Sequence, residues 1–528
     1  MDGSQSAPLP ATDTISQPVD LRRQHFARAA LIGLLAGLIA VAFQVAFREA
    51  EHLRIVMLER LAPHPYWGWI VLPAIGLLVG SGVGLMVQCL APEAAGSGIP
   101  HIKGVLLGVR SIKVVPLILV KFIGGVLGIG VGLSLGREGP TVQMGAAIGQ
   151  GVANRLKVRQ RTVPQLISCG AGAGLAAAFN APLAGFVFVI EELHREFSAL
   201  TFGGALIAAV VATVVTQSIF GQGYSFSVRG FPELPLVALP LVALLGLLGG
   251  LLGVAFNAAI LRGQRQIQGL TRVPVWLRPG LAAVIVGFIA WFVPQAAGGG
   301  HAMAGELLSE HWQPSFFFLL FLLGLKLFTT VISYASGAPG GVFAPILLIG
   351  AILGLAFGRV AGGIFQGLAD NQTAFAVLGM AALFTASVRA PLTGIVLILE
   401  LTGNYQQLFA VCVACLMAYL TAETLHSLPL YEALLEDDLR RHGLGKSHSK
   451  PIPVVMGVQR DSAVAGKALR DAQFPRDCVV IHVERGGREL IPTADLELSP
   501  GDHVTVLAPG DQPALALRIV DLCRSRMS

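Results

Sequence analysis

GREGPTVQMGAAIG (residues 136–149) recurs in looser form as GVFAPILLIGAILG (341–354), with Gly, Pro, Gly and Gly at the same offsets. The first copy sets Arg137 and Glu138 inside a stretch otherwise made of Gly, Val, Leu and Ile. Either a short loop surfaces there and the charges are solvated, or the charges face a polar path through a membrane. A second pair, APLAGFVFVIEE (181–192) and APLTGIVLILEL (390–401), shares A-P-L-x-G, an apolar run and a glutamate. The copies lie 205 and 209 residues apart in the same order, which marks a duplicated half. Paired Gly/Pro-interrupted segments in corresponding halves point to a transporter's midplane binding site. Spacing alone leaves open whether the halves are inverted or parallel.

The rest of the chain favours the membrane. Hydrophobic residues make up 54% and charged residues 13%, about half the roughly 25% charged share of globular domains. The 64 glycines suit helices that pack closely or break inside a bilayer. Apolar segments at 29–47, 67–91, 114–135, 203–220, 234–260, 279–294, 315–332 and 408–425 are on the scale needed to cross about 30 Å of hydrocarbon. The expected class is an all-α polytopic membrane protein. The polar, Pro/Ser-containing start reads as no cleavable signal peptide. Arg22, Arg23 and Arg28 before the first span favour a cytoplasmic N-terminus. The net charge of +6 calls for no nucleic acid. Of six cysteines the one close pair is Cys412 and Cys415. With no second pair and no nearby histidine it reads as core packing rather than metal, and neither metal nor cofactor is expected.

Composition divides the chain into a polar N-terminal segment (1–21), a membrane domain (22–435), a charged linker (436–452) and a C-terminal domain (453–528). The linker carries Glu436, Asp437, Asp438, Arg440 and Arg441 and reads as the exit into cytoplasm. Beyond Pro451, CVVIHV, RELIPT and HVTVLAP read as strands, with RGG and SPGD as turns. Helical patterns at 463–471 and 512–525 make this a small α+β domain.

A Gly-rich turn feeding a helix exposes backbone N–H groups at the positive end of the helix dipole, an anion site without full positive charge. Three segments have this form: Gly96-Ser97-Gly98-Ile99-Pro100, Gly136-Arg137-Glu138-Gly139-Pro140 and Gly341-Val342-Phe343-Ala344-Pro345. Neutral donors can hold a halide and still release it quickly, as conduction requires. Each segment alone is as readily a plain helix break, but three in one membrane body point to an anion path. Ser97 could add a hydroxyl donor.

These segments, with LPLYEALL (428–435), resemble the successive signature segments of the CLC family of chloride channels and chloride/proton exchangers over roughly residues 22–435. The resemblance implies inverted-repeat halves of tilted, often discontinuous helices, assembled in the bilayer as a homodimer with one anion pathway per subunit. It also implies a central chloride held by the hydroxyls of Ser97 and Tyr431 and the amides of Val342 and Phe343, with Gly98 and Ile99 alongside. A cell inner membrane location with both termini cytoplasmic follows from the same reading.

A carboxylate is itself an anion, so Glu138 can occupy the donors that otherwise hold chloride. Burial favours its neutral form, and once protonated it leaves the site open. In the family the matching glutamate is the outer gate and proton acceptor. Arg137 serves either to keep the local potential positive or as one member of a structural ion pair. Exchangers of the family carry an inner acid matching Glu192, where channels commonly have an apolar residue. From the residues alone, Glu191–Glu192 reads as a solvated helix end. Glu400, in the second copy, reads as structural. His101 and Lys103 stand where bacterial exchangers often have acids, so the inner proton entrance is wired differently here. Proline at Ser97 would signal nitrate preference, and the fluoride branch alters the second motif; neither applies.

The tail, about 453–528, resembles the TrkA-C regulatory domain through PRDCVVIHVERGGRELIPTADLELSPGDHVTVLAP. This implies a ligand-sensing or dimerising role with an unknown small ligand. The leading expectation is a chloride/proton antiporter with Glu138 as gate and Glu192 as inner acceptor. A passive voltage- or pH-gated chloride channel is the alternative. A potassium transporter is disfavoured because no T-V-G-Y-G-type filter occurs. An enzyme is disfavoured because no H-E-x-x-H motif occurs.

Overall fold

The computed structural model describes residues 19–194, 199–226, 234–309, 312, 314–441, 452–460, 462–475, 477–486, 488–508, 519, 522 and 523. The chain divides into two units, Met1–Leu435 and Glu436–Ser528, each with its own apolar core.

The first unit is helical and built twice. One half runs α1 (Val19–Leu61), α2 (Pro65–Leu90), α3 (Ile99–Leu106), α4 (Val114–Gly130), α5 (Glu138–Arg155), α6 (Val163–Phe179), α7 (Pro182–Phe188) and α8 (Ala199–Phe220). The second repeats the order as α9 (Leu239–Gly269), α10 (Arg278–Phe292), α11 (His301–Leu308), α12 (Phe316–Ala335), α13 (Phe343–Ile364), α14 (Gln372–Val388), α15 (Pro391–Thr402) and α16 (Leu408–Thr424). A last helix, α17 (Leu430–Arg441), follows. Among the described residues, eight helices are long and apolar enough to cross a membrane. Others are not: α3 and α11 have eight residues and α7 seven. At 1.5 Å per residue these reach less than halfway across about 30 Å, so the helices are discontinuous, as expected of this fold class.

Two sequence segments fall out differently. The run 114–135 is not one span: α4 stops at Gly130, and Gly132 (φ +105°) turns the chain before the motif at 136. Conversely, α13 qualifies as a span although hydropathy segmentation passed over it. Of its most apolar 18-residue window 78% is buried within the protein, the largest share among the described membrane-length helices. The helix pairs α5/α6 and α13/α14 pack backbone to backbone. A Cβ on Gly145 would collide with the Gly170 carbonyl, and one on Gly350 with that of Gly379, which explains why both motif copies keep these glycines.

The hydrogen bonds of two glutamates decide the repeat orientation. Glu191, just past α7, accepts from the amides of Leu392 (3.0 Å) and Thr393 (2.7 Å) and the Thr393 hydroxyl (2.8 Å) at the start of α15. Glu400, near the end of α15, accepts from the amides of Leu183 (3.0 Å) and Ala184 (2.8 Å) at the start of α7. Each glutamate thus sits on the positive end of the other's helix, so α7 and α15 run antiparallel. Gly136 and Gly341 are likewise bridged antiparallel, with N–H···O distances of 2.7 and 2.8 Å. Corresponding residues paired in this way lie across a two-fold axis in the membrane plane. The repeat is inverted.

The second unit holds a four-stranded antiparallel sheet ordered β1-β4-β2-β3, from β1 (Ile452–Gly457), β2 (Val479–Arg485), β3 (Arg488–Leu490) and β4 (His503–Ala508). Val483, Val504 and Val506 of β2 and β4 are buried with Val464 and Leu498. Arg485 binds the buried Asp502 through two hydrogen bonds, 2.7 and 2.8 Å. The helix expected at 463–471 does not form. Gly466 (φ +73°) interrupts it, and the backbone instead pairs with 494–498, leaving one 3-10 turn at Leu469–Asp471. Most of the expected helix at 512–525 lies outside the described residues; Ile519, Leu522 and Cys523 within it are helical.

Candidate functional site

The three Gly-rich segments meet in space. Beyond the Gly136–Gly341 bridge, the Gly340 amide donates to the Gly96 carbonyl at 3.0 Å. The N-termini of α3, α5 and α13 therefore begin from one stitched platform at Ile99, Glu138 and Phe343. Gly98 precedes α3 with φ +85°, and a side chain there would run into Gln143 of α5. Only glycine fits both demands.

One buried lysine holds this platform and a second holds the matching turn before α11, and sequence reading missed both. Lys121 Nζ donates to the carbonyls of Ala94 (2.9 Å) and Gly96 (2.6 Å), just ahead of Ser97. Lys326 Nζ donates to those of Ala296 (3.3 Å) and Gly298 (2.6 Å). Residues 121 and 326 are 205 apart, the motif offset. They expose a third repeat pair, PEAAGSG (92–98) and PQAAGGG (294–300). Gly299 stands where the first copy has Ser97, so one half alone carries the hydroxyl.

Ser97 is 1% exposed, and its Oγ accepts from the Ile99 amide at 3.3 Å, which leaves its proton to donate elsewhere. Tyr431 is fully buried at the start of α17, and its ring stacks on Phe343 with centroids 6.0 Å apart and planes at 23°. Phe343 is also ringed by Phe179, Phe188 and Phe384. The Tyr431 hydroxyl is buried without a hydrogen-bond partner among the described residues, and it lies within electrostatic reach of Tyr334, Glu192 and Glu138. Tyr334, from the end of α12, lies beside Ser97 and was not singled out from sequence. Glu138 is fully buried; its carboxylate faces the amides of Glu138 and Ala344, and neither oxygen makes a hydrogen bond of ordinary geometry. Arg137 donates to the Ala178 carbonyl at 3.4 Å and its guanidinium lies 5.9 Å from the Phe47 ring centre. It forms no ion pair among those found between described residues.

Glu192 is 1% exposed, so the solvated helix end does not form. The helix after α7 widens into a π-turn, Val189–His194, a distortion common at functional sites. It sends the neighbouring carboxylates different ways, Glu191 to α15 and Glu192 inward. Lys103 Nζ donates to Glu192 Oε1 at 2.7 Å and lies 3.8 Å from Glu432 Oε1. His101 Nε2 is 3.2 Å from the Ser111 carbonyl, and its Nδ1 is 3.3 Å from Gln143 Nε2.

An inverted repeat of discontinuous helices converging on a platform of helix N-termini defines a polytopic membrane protein of the transporter and channel type. The profile of the family described as "Voltage gated chloride channel" matches residues 75–423, and that of the "TrkA-C domain" matches 456–520. The chain belongs to the voltage-gated chloride channel, or CLC, family. It is 38% identical over 422 residues to proteins named "H(+)/Cl(-) exchange transporter ClcA" from Salmonella paratyphi B and Salmonella newport, covering 78% of this chain and 88% of each relative. A crystal structure titled as a slow cyanobacterial Cl-/H+ antiporter superposes with TM-score 0.76 at 34% identity, covering 80% of this chain and 99% of that one. A eukaryotic CLC transporter, with TM-score 0.68 and 23% identity over 88% of this chain and 84% of its own, shares the fold.

Proposed function

We propose that the chain exchanges chloride for protons across the membrane, with Glu138 as outer gate and Glu192 as inner proton acceptor. The observation carrying this reading is the Glu138 carboxylate, buried against the α5 and α13 N-terminal amides where an anion is stabilised. Chloride bound by the Ser97 and Tyr431 hydroxyls and the Val342 and Phe343 amides, beside Gly98 and Ile99, competes with that carboxylate. Protonation removes the charge that holds Glu138 there, so a proton taken up on one side opens the site to an anion. The exchanger names of the 38% identical relatives and of the 34% identical structure support the same activity.

The remaining parts of the reading are a homodimer in the bilayer, a small ligand or dimerising contact at the TrkA-C domain, and cytoplasmic termini. The orientation rests on basic residues at Arg22, Arg23, Arg28, Arg155, Lys157, Arg159, Arg440 and Arg441. In proteoliposomes, Glu192→Gln should pass chloride while losing proton movement driven by a chloride gradient. Wild-type-like proton pumping by this variant would remove Glu192 from the path. A wild type that moves chloride but no protons would make the protein a channel.

A further inference from the structure

We infer that Glu432 is the solvent-facing member of a proton-uptake triad with Lys103 and Glu192, a proposal that rests on Glu192 being the inner acceptor. The geometry is graded from surface to interior: the Glu432 side chain is 26% exposed, Lys103 9% and Glu192 1%. The Lys103 ammonium lies between them, 2.7 Å from the buried carboxylate and 3.8 Å from the exposed one. The three groups come from separate elements, α3, the π-turn after α7, and α17. Glu432 directly follows Tyr431 in sequence, so the triad adjoins the residue assigned to chloride.

A buried ionised group is costly in apolar protein, and the Lys103 ammonium offsets that cost for Glu192 at 2.7 Å. A proton from solution forms an O–H bond on one carboxylate while the ammonium pairs with the other. Glu432 is the carboxylate that solvent reaches. Glu192, with almost no exposed surface, receives the proton from within the triad as Lys103 exchanges partners. Without Lys103 the two acids would repel; without Glu432 the Lys103–Glu192 pair loses the carboxylate that solvent reaches. Among the described residues, titratable or charged groups nearby include His101 and Arg110 around α3, Tyr431 on α17, and Glu191, whose carboxylate is turned to α15. This accounts for the chain's His101 and Lys103 at the inner entrance: the acid has moved to α17.

The test uses the full-length protein in proteoliposomes, reading proton and chloride flux together while the pH on the triad's side is varied. Glu432→Gln should lower the proton-to-chloride ratio about tenfold or more at pH 7.5 and recover part of it as that side is acidified. Glu432→Asp should restore most of the ratio. A Glu432→Gln protein with the wild-type ratio and pH profile would overturn the proposal. Glu192→Gln, measured alongside, separates the two readings. If it abolishes pumping while Glu432→Gln does not, the acceptor stands and the triad falls; if Glu192→Gln pumps normally, the underlying assignment falls first.

Discussion

Tyr431→Phe isolates one atom of the proposed chloride site. The Phe343 stack at 6.0 Å and 23° involves only the ring, so the roughly 0.5–1.5 kcal/mol of such an aromatic pair is kept. What is lost is the hydroxyl, which has no acceptor among the described residues and so leaves none of them newly unsatisfied. A neutral hydrogen bond contributes about 0.5–1.5 kcal/mol and one to a charged group about 1.5–3 kcal/mol. In the proposed site several donors share the halide, which favours the lower range. At 1.4 kcal/mol per factor of ten, bromide or chloride should bind roughly two- to tenfold more weakly by isothermal titration of the purified protein. Tyr431→Ala, which also empties the space beside Phe343, should weaken binding further and lower the melting temperature; the Phe variant should melt like wild type. Unchanged halide affinity in Tyr431→Phe would refute the hydroxyl's role.

Two other outcomes follow from side chains away from the anion path. Glu191→Ala removes three hydrogen bonds from the start of α15 and should destabilise the fold by roughly 1–3 kcal/mol. Glu400→Ala should act similarly on α7. Both are read as earlier loss of the monodisperse peak after heating in detergent, and wild-type thermal stability in both would refute the reciprocal caps. In the tail, burial would raise the Asp502 carboxyl, but hydrogen bonds from Arg485 and the Ser499 amide, with the Arg485 charge, outweigh it and hold the group below 3.8. A depressed carboxylate stabilises the fold above its unfolded value, and that stabilisation disappears as pH falls through the lower folded value. Asp502→Asn should therefore speed hydrogen exchange in β2 and β4 at neutral pH. The gap from wild type, corrected for intrinsic rates, should close below pH 3.8; a gap independent of pH would contradict the assignment.

The sequence carried the site's segments in plain view because glycine and proline interrupt otherwise unbroken apolar runs, and a polar residue there has few bland explanations. The repeat was legible for the same reason, but its inversion was not. Direction appears only when Glu191 is seen on α15 and Glu400 on α7. The fates of Glu191 and Glu192 were equally hidden, because a π-turn, rather than a regular helix, decides which carboxylate points inward. Lys121 and Lys326 share the motif offset and could have been found by asking which charged residues obey it. Tyr334 offered no such signal: a tyrosine ending an apolar helix looks like any interfacial tyrosine. In the tail, alternating apolar residues marked β2 and β4, while the 463–471 pattern misled because Gly466 turns the chain toward backbone partners near 496.

The central claim, that chloride and the buried Glu138 charge exclude each other, is tested most directly by Glu138→Gln beside wild type in proteoliposomes under a chloride gradient. Wild type should drive protons uphill against the chloride flow. Glutamine is neutral at every pH, so the variant should still pass chloride, move no protons, and show a flux that no longer varies with pH. Uphill proton movement by Glu138→Gln would contradict the account.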